Sequence, residues 1–185
     1  MILSDLTIES QVVDKSIIIE PFNREQLNPN SYDIRIGNTI KYYKIGAYKQ
    51  PIFLDPKAEN QTFETTIPED GYILAPNRLY LANTLEHLTI THHSNVCATI
   101  MGKSSLGRLG LDIHICAGFV DNGFSGSIVL ELRAVEPIKI YPGMLIAQIK
   151  FEKADRCRVP YGDKKKSKYQ HQEGVQSSLM YKNFE

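Results

Sequence analysis

Most of this chain is written as short apolar runs broken by turn formers. Segments 34–45, 52–54, 72–74 and 79–82 are rich in Ile and Tyr and punctuated by Pro, Gly, Asn and Asp. Runs of that length and composition predict strands joined by turns. The second half is plainer. SIVLELRAV at 127–135, IKIY at 138–141 and MLIAQIKF at 144–151 follow the alternation of a half-buried strand, with Pro142-Gly143 as a turn between the last two. Helical patterning is confined to the start, where Ser4, beside Asp5, predicts the cap of a short helix carrying Leu6, Ile8, Val12 and Val13. Many short strands at regular spacing predict an all-β sandwich, jelly roll or barrel. Residues 161–185 differ: they are polar and carry Lys164, Lys165, Lys166 and Lys168. They read either as a frayed tail or as a lid that orders over an anionic ligand.

A chain of 185 residues fits one domain, 1–185, with 161–185 as its closing segment. Lys plus Arg and Asp plus Glu both number 21, so net charge is zero and gives no argument for a nucleic-acid or membrane partner. An anionic ligand must therefore be gripped by a local basic cluster. Cys97, Cys116 and Cys157 are scattered and odd in number, which argues against a disulfide framework and for a reducing compartment. The first residues lack a charged stretch followed by an apolar one, and no apolar run approaches about 20 residues. A cytoplasmic protein with no membrane anchor is expected.

Several chemistries can be set aside. A zinc-dependent cytidine deaminase needs His-x-Glu followed by Pro-Cys-x-x-Cys. His171-Gln172-Glu173 matches the first half, but no Cys-x-x-Cys exists and no cysteine follows Cys157, so no zinc is expected. Adjacent residues such as His92 and His93 would point opposite ways on a strand. Gly102-Lys103-Ser104 looks like the end of a phosphate-binding P-loop, yet Cys97 stands where that loop needs its first Gly.

What remains is the run GKSSLGRLGLDIHICAGFVDNGFSGSIVLE at 102–131. Ser104 and Ser105 lie between the cations Lys103 and Arg108, a credible phosphate grip and equally an ordinary polar turn. Asp121 opens a Gly-rich hairpin, where an Asp is common for local reasons alone. Glu131 falls mid-strand and shares a face with Val129, opposite Ile128, Leu130 and Leu132. It is either the solvated face of that strand or a carboxylate placed there for chemistry.

Taken together, the run from Gly102 to Glu131 resembles the dCTP deaminase family of the dCTP deaminase/dUTPase superfamily, with no gap from Ser104 to Glu131. The likeness extends over the chain: LNPNSYDIRIG at 27–37, YPGMLIAQIKFE at 141–152, VPYG at 159–162 and KYQHQEG at 168–174 resemble further family segments in the same order.

The resemblance implies a distorted jelly-roll β-barrel of the dUTPase-like kind, with a flexible C-terminal lid, assembled as a homotrimer with active sites at subunit interfaces. It implies dCTP as substrate, with Mg²⁺ carried on the triphosphate, dUTP as product and dTTP as an inhibitor. By position, Glu131 is the general acid/base, a role that suits a carboxylate asked to take a proton from water and return it to N3 and the leaving amine. Ser104 and the carbonyl of Ala117 hold the water, and Arg108 orders Glu131 and the interface around it. Asp121 meets the 3′-hydroxyl, and Val129 and Leu130 offer backbone groups to the pyrimidine. Lys103, Ser105, Leu106 and Gly107 belong to the phosphate grip. Lys103 stands where the family more often has Arg, and a Lys lacks the bidentate fork. Gln148, Tyr161, Lys168 and Gln172 complete the nucleotide contacts. The pair Ala117-Gly118 and the ending MYKNF resemble bifunctional members that cleave dUTP on to dUMP and diphosphate, in which Asp121 activates the second water. A pure dUTPase lacks the carboxylate at the Glu131 position, and an idle nucleotide-binding regulator would be expected to lose Glu131 or the tail.

Overall fold

A computed structural model describes residues 1–46 and 52–185. It begins with helix α1 (Asp5–Val13). The Ser4 hydroxyl caps it by accepting the Thr7 N–H at 3.3 Å. Ile8 is buried and Val12 packs on the core, whereas Leu6 and Val13 face outward.

Strands then follow: β1 (Ile17–Glu20), β2 (Leu27–Asn28), β3 (Ser31–Tyr43), β4 (Thr62–Thr66), β5 (Tyr72–Leu74), β6 (Leu79–Ile90) and β7 (Val96–Gly102). A single-turn helix, α2 (Ser104–Gly107), separates these from β8 (Leu111–Ile113), β9 (Phe119–Val120), β10 (Ser125–Ala134), β11 (Ile138–Ile140) and β12 (Leu145–Lys153). The expected strands at 72–74, 79–82, 127–135, 138–141 and 144–151 are present, several of them longer than the pattern suggested. The run 52–54 is instead a bend with Ile52 and Phe53 exposed. It is apolar enough for a strand but has no partner to pair with.

The order β8-β10-β6-β3-β12-β7-β9 makes one curled antiparallel sheet, with β1 on β6 and β2 and β4 on β3. β3 does the curling. Its first residues, Tyr32–Arg35, pair with β12, and Ile36, Ile40 and Lys41 pair with β6, with a register shift between Ile36 and Ile40. A strand that changes partners in this way turns the corner of a barrel. The fold is all-β, a curled antiparallel sheet with few helices.

Alternation decides what the curl encloses. On β10, Ile128, Leu130, Leu132 and Ala134 are buried while Val129 and Glu131 stay half-exposed on the other face. Among the polar groups that go inside is Glu86, 1% exposed. Its carboxylate accepts Gln26 Nε2 at 3.0 Å, Arg35 Nε at 2.7 Å and the Arg35 N–H at 2.8 Å. A buried carboxylate is tolerated only with its lone pairs filled in this manner. No helix among the described residues is long and apolar enough to cross a membrane.

Candidate active site

The site begins as a gap in the sheet. β8 pairs with β10 only from Leu132 to Ala134. The His114 N–H then donates to the Glu131 carbonyl at 3.0 Å, the last link before residues 115–118 cross to β9 on β7. His114 sits at φ 58°, a left-handed turn that directs the chain away. The space left between is a cavity of about 500 Å³.

Glu131, Val129, Asp121, Ala117, Tyr161 and Gln172, all named from the sequence, line this cavity. The backbone of β10 contributes as well. Ser127 donates its N–H to the Gln172 carbonyl at 3.0 Å, while Ile128 turns its N–H to Thr84 on β6. Since backbone groups alternate sides along a strand, Val129 faces the gap between the outward links of Ser127 and Glu131. Leu130 buries its side chain completely and, by the same alternation, turns its backbone toward Ala82 of β6.

Sequence reasoning did not single out several wall residues: His114, Phe124, Tyr43, Tyr169 and the stretch Gln176–Ser178. His114 lay inside the motif and Tyr169 inside KYQHQEG, so position in a family segment was a signal for those two. Nothing local marks Tyr43. Burial pushes the His114 imidazole down to about 4, so it is neutral near pH 7, and its buried Nδ1 has no hydrogen-bond partner. Burial likewise raises the Tyr161 phenol above its usual value, keeping it a protonated O–H. Cys116 Sγ lies 4.0 Å from Glu131 Oε2.

A second cluster lies on α2. Ser104, Ser105 and Arg108 are exposed, with Leu106 packed on the core below them. Lys103 is ion-paired with Asp33 on β3. The other Asp33 oxygen is buried without a partner. Gln148 joins this cluster: its Nε2 donates to the Gly102 carbonyl at 3.1 Å and its Oε1 accepts the Ser31 hydroxyl at 3.0 Å. None of the residues from Lys103 to Arg108, nor Gln148, lines the cavity that Glu131 lines. Within one chain the predicted residues therefore form two separate groups. Lys168 stands apart from both, beside Tyr169 of the cavity wall.

Among the described residues, no group of three or more His, Cys, Asp or Glu side chains is arranged to hold a metal ion. His92 and His93 occupy the turn after β6 instead of a strand, and their rings meet edge to face at 4.5 Å.

The profile of the dCTP deaminase-like family matches residues 2–154. A Hathewaya histolytica protein named "dCTP deaminase, dUMP-forming" is 44% identical over 185 residues, spanning 100% of both chains. Proteins of the same name from Clostridium acetobutylicum and Cytophaga hutchinsonii are 42% and 41% identical, each over 100% of this chain and 99% of the relative. The crystal structure of 2′-deoxycytidine 5′-triphosphate deaminase from Agrobacterium tumefaciens superposes with a TM-score of 0.61 at 22% identity. It covers 81% of this chain and 47% of that one, a likeness of fold. The chain belongs to the dCTP deaminase-like family.

Proposed function

We propose that this protein deaminates dCTP and carries the product on to dUMP, the second of the two outcomes its sequence left open. The observation that carries the reading is that Glu131 and Asp121 line one cavity. The full-length relatives named for dUMP formation favour it over simple release of dUTP.

In the first step water attacks C4 of cytosine. Glu131 takes its proton and returns protons to N3 and to the departing amine, giving dUTP and ammonia. The cavity wall around Glu131 is largely apolar. Ser104 and the Ala117 carbonyl hold the water, and such positioning bears most of the burden when the water is not activated by a metal. Arg108 orders Glu131. The outward backbone of Val129, next to Leu130, meets the pyrimidine edge, and Asp121 the 3′-hydroxyl. In the second step Asp121 activates another water toward the α-phosphate, and diphosphate leaves.

Lys103, Ser105, Leu106, Gly107, Gln148, Tyr161, Lys168 and Gln172 form the triphosphate and base contacts. The donors on α2 are cationic or hydroxylic, which fits phosphate oxygens and not a bare cation, so Mg²⁺ would arrive bound to the triphosphate. dTTP offers the same triphosphate and a similar ring and is an expected competitor. Residues 1–185 act as one unit, with 161–185 closing the site.

The split between the Glu131 cavity and α2 supports a shared site, completed by α2 of a neighbouring subunit in a homotrimer. Exposed Met101, Leu109, Ile115 and Phe119 near α2 and the 114–118 crossing supply apolar surface for that contact. Free Cys97, Cys116 and Cys157 fit a cytoplasmic setting. The decisive experiment is incubation with dCTP and Mg²⁺ followed by chromatography. Direct appearance of dUMP and diphosphate is expected. Accumulating dUTP would restrict the protein to deamination, and untouched dCTP would overturn the reading.

A further inference from the structure

Residues 161–185 are held in two unequal tiers. Residues 170–172 are stitched to the start of β10. Gln170 Nε2 donates to the Gly123 carbonyl at 3.1 Å, and Gln170 Oε1 accepts the Ser125 N–H at 3.2 Å. The His171 N–H reaches the Ser125 carbonyl at 2.7 Å, and Gln172 bonds Ser127 through both its carbonyl, at 3.0 Å, and its side-chain amide, at 2.7 Å. Gly174 then turns the chain at φ 62° with open space around it, and Val175 is buried beyond.

From Gln176 onward the attachment is sparse. Gln176, Ser177 and Ser178 form one wall of the cavity. The Leu179 N–H donates to the Tyr169 hydroxyl at 3.0 Å, a bond internal to the tail. Among the described residues, one hydrogen bond ties 176–184 to the body of the fold: the Ser178 N–H donates to the Tyr43 hydroxyl at 3.2 Å. Tyr43 ends β3 and itself borders the cavity. Farther along the β3–β4 connection, the Lys57 ammonium lies 5.3 Å from the centre of the Phe184 ring, a weak reinforcement.

We propose that Tyr43 is a positioning residue for the nucleotide. Its hydroxyl latches residues 176–184 over the cavity, and this short flap, hinged near Gly174, is the part that opens. Residues 170–172 stay docked on β10. The inference rests on the cavity being the dCTP site. It narrows the closing unit and assigns the opposing jaw to β3.

One hydrogen bond of this kind shifts a closing equilibrium by about three- to tenfold. Tyr43→Phe removes the acceptor and little else. The expected result is a KM for dCTP raised by about that factor with kcat held or slightly raised, since flap opening also governs release. Ser178→Pro deletes the donor from the other side, so the double variant should be no worse than either single one. Trypsin supplies a readout independent of turnover: cleavage after Lys182 should quicken several-fold in Tyr43→Phe while cleavage after Lys168 does not. A fall in kcat at constant KM, additive effects in the double variant, or equal protection of Lys182 would each overturn the latch. If the parent protein ignores dCTP but the proteolysis pattern holds, the latch stands and the assigned substrate fails.

Discussion

Glu131 sits on a half-buried strand face and, in the proposed reading, carries the protons of deamination. Glu131→Gln keeps the shape and removes the proton carrier. Deaminase turnover should fall by at least about 10³-fold while dCTP binding, read by calorimetry, changes little. His114 offers a second handle, on stability. Its imidazole is near 4 in the fold against an ordinary 6.5, so the unfolded chain binds more protons between those values. Stability is therefore full above about pH 6.5 and declines as pH falls toward 4, by an amount on the order of 2–3 kcal/mol. His114→Asn, which tolerates the left-handed backbone, should flatten that acid-side slope in urea titrations across pH. At this scale the sequence was informative where chemistry is concentrated: Glu131, Asp121 and Ala117 could be named because their spacing matched a family run. Tyr43 could not, since it reaches the cavity through tertiary packing that leaves no local mark.

Among the elements, β10 to β12 were legible because Pro142-Gly143 and alternating burial punctuate them clearly. The pairing of β3 with two successive partners was not, for a change of register depends on strands far away in sequence. The connection between β8 and β9 shows how tightly such an element is set. The Gly118 carbonyl accepts the Ile100 N–H at 2.7 Å, and a Cβ on Gly118 would fall 2.6 Å from the Ile100 carbonyl oxygen. Gly118→Ala must push Ala117 and Asp121 away from β7. Overpacking of this kind costs about 1–3 kcal/mol. Chemical denaturation should show that loss, and product analysis should show deamination and dUMP formation falling together.

For the whole molecule, the separation of α2 from the Glu131 cavity makes one chain an incomplete site in the proposed reading. Glu131→Gln and Ser104→Ala chains should each be inactive alone yet regain activity when co-expressed, because about a quarter of all sites in randomly assembled trimers would draw an intact residue from each partner. Continued inactivity of the mixture would place the whole site in one chain. The proposed trimer contact has only a scattered trace, in exposed apolar residues that belong to no single element. The docking of Gln172 beside Ser127 reaches further than catalysis. It covers a stretch of β10 that β8 leaves unpaired, and an uncovered strand edge is a template for another chain. Nicking after Lys168 would strip that cover from an otherwise intact barrel. The clipped protein should then lose colloidal stability before it unfolds, with light scattering rising well below the temperature at which its circular dichroism changes. That outcome would make the tail a cover for a strand edge as well as a closing segment.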